Sequence, residues 1–434
     1  MAPQQQNSQW TSSHGWRVVA ASAAFAMLVL FAGVAQAQTF TVIHSFTGKP
    51  DGANPAAGLT LDRAGNLYGT TREGGSGGGG TVFRLIRHGS GWIMAPLYNF
   101  SGPDGLAPEG RVTFGPDGTL YGTTALGQGD YCSCGDVFNL KPPPSRPNSV
   151  LSPWIETVIH QFSASGDEGV DPSGDLAFDS AGNLYGTTQT GGYWQHCGGG
   201  VGCGTVYQLT RSGSSWTENI IWVLQGQSDG EYPIDGVTID PAGNLFVTSS
   251  QGYFQNNWGS VFELSPSNGG WTETTLYDFL SGGGIIPVGG VITDQAGNLY
   301  GATSVSSGGG GTIFELSPSG GGWNYQTLYN LAGTGSGRTG PFARLFMDEA
   351  GNLYGTTYAD GAYGKGSVFK LTAGSSGWTF TTLHDFTGGS DGANPEATLV
   401  MDNSGNLYGT TFQGGSTSAN CENYQCGVVF EITP

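Results

Sequence analysis

Positive charge is scarce in this chain. Only 14 residues are Lys or Arg, against 33 Asp or Glu, and the formal net charge is −19. An acidic surface of this kind repels nucleic acid and anionic lipid, which excludes both as partners, while tolerating cations and neutral ligands such as sugars. Charge of either sign is sparse, at 11% of residues. Long apolar runs are also missing, apart from one near the N-terminus. No HExxH, P-loop, nucleophile–base set or paired-carboxylate signature stands out, so the sequence offers no catalytic motif.

Glycine, by contrast, is abundant: 78 of 434 residues. With Thr and aromatics common as well, this composition predicts short strands and tight turns rather than helices. The first 37 residues differ from the rest. They hold no Asp or Glu, and Arg17 precedes the apolar run "VVAASAAFAMLVLFAGV", which ends at Ala35-Gln36-Ala37. That pattern predicts a secretory signal peptide over 1–37, cleaved before Gln38; an uncleaved membrane anchor is the alternative. After cleavage no membrane insertion is expected. The protein would be secreted, periplasmic or at the cell surface, and monomeric.

One phrase recurs seven times. "LDRAGNLYGTT" (61–71) returns as "FGPDGTLYGTT", "FDSAGNLYGTT", "IDPAGNLFVTS", "TDQAGNLYGAT", "MDEAGNLYGTT" and "MDNSGNLYGTT". The aromatics Tyr68, Tyr121, Tyr185, Phe246, Tyr300, Tyr354 and Tyr408 mark the period, with spacings of 53, 64, 61, 54, 54 and 54 residues. A constant period of this size signals a repeat architecture. Each unit holds four β-type runs: a short apolar run, "NLYGTT", a "GTVFRL"-type run, and a run that starts with Trp and ends on aromatics. The D-x-x-G-N segment between the first two is turn chemistry. Four antiparallel strands repeated radially describe a seven-bladed β-propeller over 38–434 as one domain. The last unit lacks a fourth strand, and "TFTVIHSF" (39–46) is a fourth-type strand with no blade before it. Pairing the two would close the ring and remove its edges.

The repeated "GNLYGTT…GG…GTVFxL" resembles the GloVer tandem repeat of bacterial secreted proteins, over essentially all of 39–434. The resemblance implies a propeller-type repeat and no established activity.

Candidate sites fall in two loop classes expected on one face. Fourth-to-first loops share D-G-x-x-P, with acids at Asp51, Asp104, Glu168, Asp229 and Asp391, and Gly283 and Gly337 in the other two. Carboxylates around one channel mouth suit Ca²⁺; the competing reading is that each acid stabilises its own turn. No other cofactor is implied. Second-to-third loops are the variable ones. Those of blades 3 and 4 carry Tyr193, Trp194, Tyr253, Phe254 and Trp258, beside Tyr232, Asn256 and Asn257. Aromatics with amides can stack on sugar rings and bond hydroxyls, or else pack between blades. Cys132/Cys134, Cys197/Cys203 and Cys421/Cys426 read as local disulfides in such loops, with a Cys/His metal site at His196 as the alternative. His44, His160 and His384 share one repeat position and read as packing residues. Arg338 is the obvious cation near the channel mouth.

The first functional reading is a non-enzymatic binding or interaction module for an extracellular glycan or protein. The second is a secreted propeller lyase or hydrolase acting on polysaccharide through channel-mouth carboxylates. The third is a structural cell-envelope component. Whether the protein is an enzyme at all is left open, with binding the preferred reading.

Overall fold

The computed structural model describes residues 1, 38–127, 134–144, 154–165, 167–192, 197, 200–226, 229–252, 258–280, 284–306, 309–333, 339–415, 421 and 425–434. The expected signal peptide (1–37) lies outside them except for Met1. Residues Phe40–Thr433 form one compact unit. Among the described residues there is no α-helix, and no helix long and apolar enough to cross a membrane.

The chain is all-β: seven four-stranded antiparallel sheets arranged as a β-propeller. Blade 1 comprises Thr60–Leu61, Leu67–Thr71, Thr81–His88 and Gly91–Asn99. Blades 2 to 6 begin with Thr113–Phe114, Ala177–Phe178, Thr238–Ile239, Ile292–Thr293 and Phe346–Met347. Their fourth strands are Ile155–Gln161, Ser215–Val223, Gly270–Asp278, Gly322–Ala332 and Gly377–Asp385. Blade 7 takes Val400–Met401, Leu407–Thr411 and Val428–Thr433 from the C-terminal end and Thr39–Ser45 from the N-terminal end. The ring therefore closes as its two complementary deficits predict.

Each "NLYGTT" forms a second strand that is buried along its whole length. Its alternation sends the two side-chain sets into the two neighbouring blades. The cores accordingly run between blades: Phe83 of blade 1 packs edge-on against Phe46, and Tyr207 of blade 3 against Phe162. The D-x-x-G-N turn is held by its first residue. Asp402 accepts from the Ser404 and Asn406 backbone N–H groups, the Asn406 side chain, and the Tyr408 hydroxyl at 3.0 Å. The repeat keeps Asp and Tyr together because one closes the turn and the other caps it from the next strand.

Candidate functional site

Both loop classes do lie side by side. Backbone bridges join Ala53 to Glu73, Leu106 to Leu126, Glu231 to Gln251, Ile285 to Val305 and Ala393 to Gln413. The residue before the loop proline is left-handed in six blades: Asn54, Ala107, Asp171, Tyr232, Ile286 and Asn394 have φ between 54° and 65°. Gly340 occupies the seventh place. This geometry is costly for residues with a Cβ, and two hydrogen bonds hold it. The Asn54 N–H donates to Cys426 of the preceding blade, and its carbonyl accepts from Arg72 of its own. The other five repeat the pattern, so each left-handed residue clamps two blades together.

The D-G-x-x-P acids serve their own loops. Asp51 lies 3.0 Å from His44 Nε2 and accepts from the Thr47 N–H and hydroxyl. Tyr98 donates to Asp104 at 2.6 Å, Trp222 to Asp229 at 3.1 Å, and His384 Nε2 lies 3.2 Å from Asp391. The His, Tyr and Trp partners each stand on the fourth, outermost strand of a blade. The structure thus draws Asp51, Asp104, Asp229 and Asp391 to four separate outer strands instead of gathering them for one Ca²⁺, because each loop turns its acid back onto the strand it leaves. Burial works to raise Asp51, but hydrogen bonds from His44 and Thr47 hold it below the usual carboxylate range.

Other acids do converge. Segments just ahead of the first strands, from all seven blades, line a central cavity of about 160 Å³. It contains Glu109, Asp175, Asp235, Glu396 and Arg344. Arg344 Nε donates to Asp235 at 3.1 Å, and its Nη2 donates to the Gly236 carbonyl at 3.0 Å. Asp235 also accepts from the Gly290 N–H, while Asp175 is tied to Arg111 at 3.2 Å. Glu109 pairs with Arg72 at 2.8 Å. Burial pushes Glu396 up to about 7; Arg72 opposes this and Glu109 adds to it. Burial, with Glu109, likewise pushes Asp171 up to about 7 against the pull of Arg72. Its Oδ1 is buried without a hydrogen-bond partner. Glu109, Asp171 and Glu396 thus share the field of one guanidinium. The signal for them was an acid flanking the loop proline ("DP", "PE"), a few residues beyond the acid that repeats. Arg338 lies outside the described residues; the cavity's cation is Arg344.

Residues 26–153, 150–305 and 254–434 match the Gloeobacter/Verrucomicrobia repeat. The chain belongs to this repeat family.

Similarity beyond the family is partial. A xyloglucanase of Paenibacillus sp is 31% identical over 103 residues, which is 23% of this chain and only 9% of that enzyme. PorZ, a surface component of the type-IX secretion system of Porphyromonas gingivalis, superposes with a TM-score of 0.52 at 14% identity, over 88% of this chain and 46% of PorZ. A protein from Lactobacillus plantarum gives 0.50 at 14% identity, over 80% of this chain and 88% of its own. At this identity the two structures speak for the fold alone.

Of the six aromatics expected to bind ligand in this Gloeobacter/Verrucomicrobia repeat protein, Tyr193, Trp194, Tyr253 and Phe254 lie outside the described residues. So do Asn256, Asn257 and His196. Trp258 is 39% exposed, and its carbonyl accepts from the Ile286 N–H of the next blade. Tyr232 is one of the left-handed clamp residues, half-buried, with its N–H on the Cys203 carbonyl. Tyr363, in the second-to-third loop of blade 6, is 62% exposed; nothing in its repeat position singles it out. Cys197–Cys203 and Cys421–Cys426 are disulfides. Cys134 is also disulfide-bonded, and Cys132 lies outside the described residues. Cys134, Cys203 and Cys426 each offer the carbonyl that receives a clamp N–H, so these bridges steady the blade junctions as well as their own loops.

Proposed function

We propose that this repeat protein is a non-enzymatic binding module that works outside the cytoplasm and takes a neutral polyhydroxylated ligand, a carbohydrate, at the channel mouth. The observation that carries this reading is the group Glu109, Asp171 and Glu396 around Arg72. Asp171 and Glu396, each raised to about 7 by burial, offer donors and acceptors together, which is what vicinal hydroxyls require, and Glu109, raised by burial against the pull of Arg72, stands beside them. The cavity beside them is smaller than a pocket for a drug-sized molecule, so it suits one ring or one substituent of a chain lying across the mouth. Trp258 and Tyr363, exposed on loops of the same face, supply stacking surfaces. The partial likeness to a xyloglucanase supports a carbohydrate, and the disulfides support an oxidising compartment.

A second reading rests on the same groups. Asp171 and Glu396, each near 7, stand in the range of a general acid, so a polysaccharide-cleaving enzyme is its form. A glycan array with residues 38–434, followed by titration and product analysis of each hit, separates the two. Binding without product is expected, and Glu109→Gln with Glu396→Gln should weaken it roughly tenfold or more while circular dichroism shows the same fold. Unchanged affinity removes the channel mouth from consideration, and released oligosaccharide replaces binding by catalysis.

A further inference from the structure

At four blade junctions one residue of the outer strand faces the His or Tyr of the preceding blade. The junctions differ in what stands there. Phe40 stacks on His384 at 3.7 Å, Tyr325 on Tyr277 at 4.1 Å, and Phe380 on Tyr329 at 4.7 Å. Between blades 2 and 3 the facing residue is Glu218, and the histidine is His160. The loop acid there is Glu168 instead of Asp. His160 Nε2 lies 3.5 Å from Glu168 and 3.6 Å from Glu218, and one ligand atom from each of the three falls within 4.8 Å of the others.

These distances are too long for hydrogen bonds, and Nε2 is buried without a hydrogen-bond partner, as is Glu218 Oε1. The sister histidines behave differently. His44 and His384 each meet a single carboxylate at 3.0 and 3.2 Å. At His160 two carboxyl groups from different segments flank one ring nitrogen that no hydrogen bond satisfies. An unprotonated imidazole nitrogen is a metal ligand. A tetrahedral ion with bonds of about 2.1 Å separates its ligands by about 3.4 Å. The two distances from His160 match that edge, and the two carboxylates come within 4.8 Å of each other. The Ser163 hydroxyl donates to Glu168 Oε2, which leaves Oε1 turned toward His160, as outer-shell partners do in metal sites.

We propose that His160, Glu168 and Glu218 form a binding site for Zn²⁺ or a similar late first-row divalent ion, joining blade 2 to blade 3. One imidazole and two carboxylates select such an ion over Ca²⁺ and Mg²⁺, which prefer all-oxygen shells. The side chains are 14–20% exposed, so solvent completes the fourth position. Because the ligands come from two blades and the loop between them, binding favours the closed ring over any opened form.

The test uses residues 38–434 stripped with chelator and then titrated with Zn²⁺ by calorimetry and with Co²⁺ by visible absorption. One equivalent of Zn²⁺, an intense four-coordinate Co²⁺ spectrum and a melting temperature that rises with Zn²⁺ are expected. His160→Ala should weaken binding by at least the roughly 100-fold seen at most for loss of an outer-shell partner. Glu218→Met restores the residue that blade 1 uses at this position, Met94, so it keeps the fold while removing a ligand, and it should weaken binding equally. Glu231→Gln should leave binding unchanged, since that glutamate belongs to a different cluster, beside Cys197 and Cys203. No Zn²⁺ response, a response to Ca²⁺ in its place, or full binding by Glu218→Met overturns the site.

Discussion

Gly355 stands in the middle of "NLYGTT" without a left-handed backbone, so its conformational freedom is not what the position needs. A Cβ there would lie 2.5 Å from Phe369 Cζ and 3.0 Å from Leu345 Cδ2. The same collision recurs at Gly69 with Phe83 and at Gly409 with Phe430. The glycine makes room for the aromatic of the third strand, whose ring crosses the second strand at that point. Blade 4 carries Val247 opposite Phe262, and the structure offers no account of how that pair fits. Gly355→Ala overpacks a core and should cost about 1–3 kcal/mol. Chemical denaturation of the variant would show the loss as a lower midpoint at unchanged slope; an unchanged midpoint would mean that Phe369 yields freely.

At the scale of elements, the N-terminal strand Thr39–Ser45 carries more than ring closure. Phe40 stacks on His384 of blade 6 and packs against Phe430 of blade 7 at 5.6 Å. Phe46, just beyond the strand, is fully buried and donates its N–H to the Gly427 carbonyl. Deleting residues 39–46 removes this packing and exposes the edge of Val428–Thr433, an open template for pairing. Aggregation or a drop of many degrees in melting temperature is expected by calorimetry and light scattering. A truncated protein that melts with the intact one would show that the seventh blade is stable with three strands.

Over the whole molecule, opposing sets of carboxyls shape the response to pH. Burial, with Asp104 and Asp136, raises Glu156 to about 7; burial, with Asp104, raises Asp136 to about 6. Asp171 and Glu396 are also raised to about 7. A carboxyl raised on folding is easier to bury protonated, so stability falls as pH climbs from the unfolded value near 4 to the folded value near 7. The turn acids Asp179, Asp294, Asp348 and Asp402 have the opposite sign. Burial works to raise them, but hydrogen bonds from the Asn side chain and backbone N–H outweigh it and hold their pKa down. Their contribution is present above pH ~4 and disappears as pH falls through their folded values. Metal-free protein should therefore melt higher near pH 5 than at pH 7.5, and Glu156→Gln should reduce the difference. Equal melting temperatures at the two pH values, measured by scanning calorimetry in chelator, would contradict this.

Periodicity and turn chemistry determined the seven blades, their four strands and their closure, because strand pattern and repeat length are local properties written along the chain. The disulfides at Cys197–Cys203 and Cys421–Cys426 were legible for the same reason: each joins residues of one loop. The channel mouth was not. Glu109, Asp171 and Glu396 stand in three different loops, and only the ring brings them to Arg72. For Asp51, Asp104, Asp229 and Asp391 the sequence left two readings open, a shared Ca²⁺ and turn stabilisation, and the hydrogen bonds of each acid to the strand its own loop leaves go with the second; a shared site is built from the positions where the loops differ. The meeting of His160 with Glu218 was likewise decided by tertiary structure. Sequence places them on the outer strands of different blades, and only the packing of one blade on the next sets a nitrogen of one within 3.6 Å of an oxygen of the other.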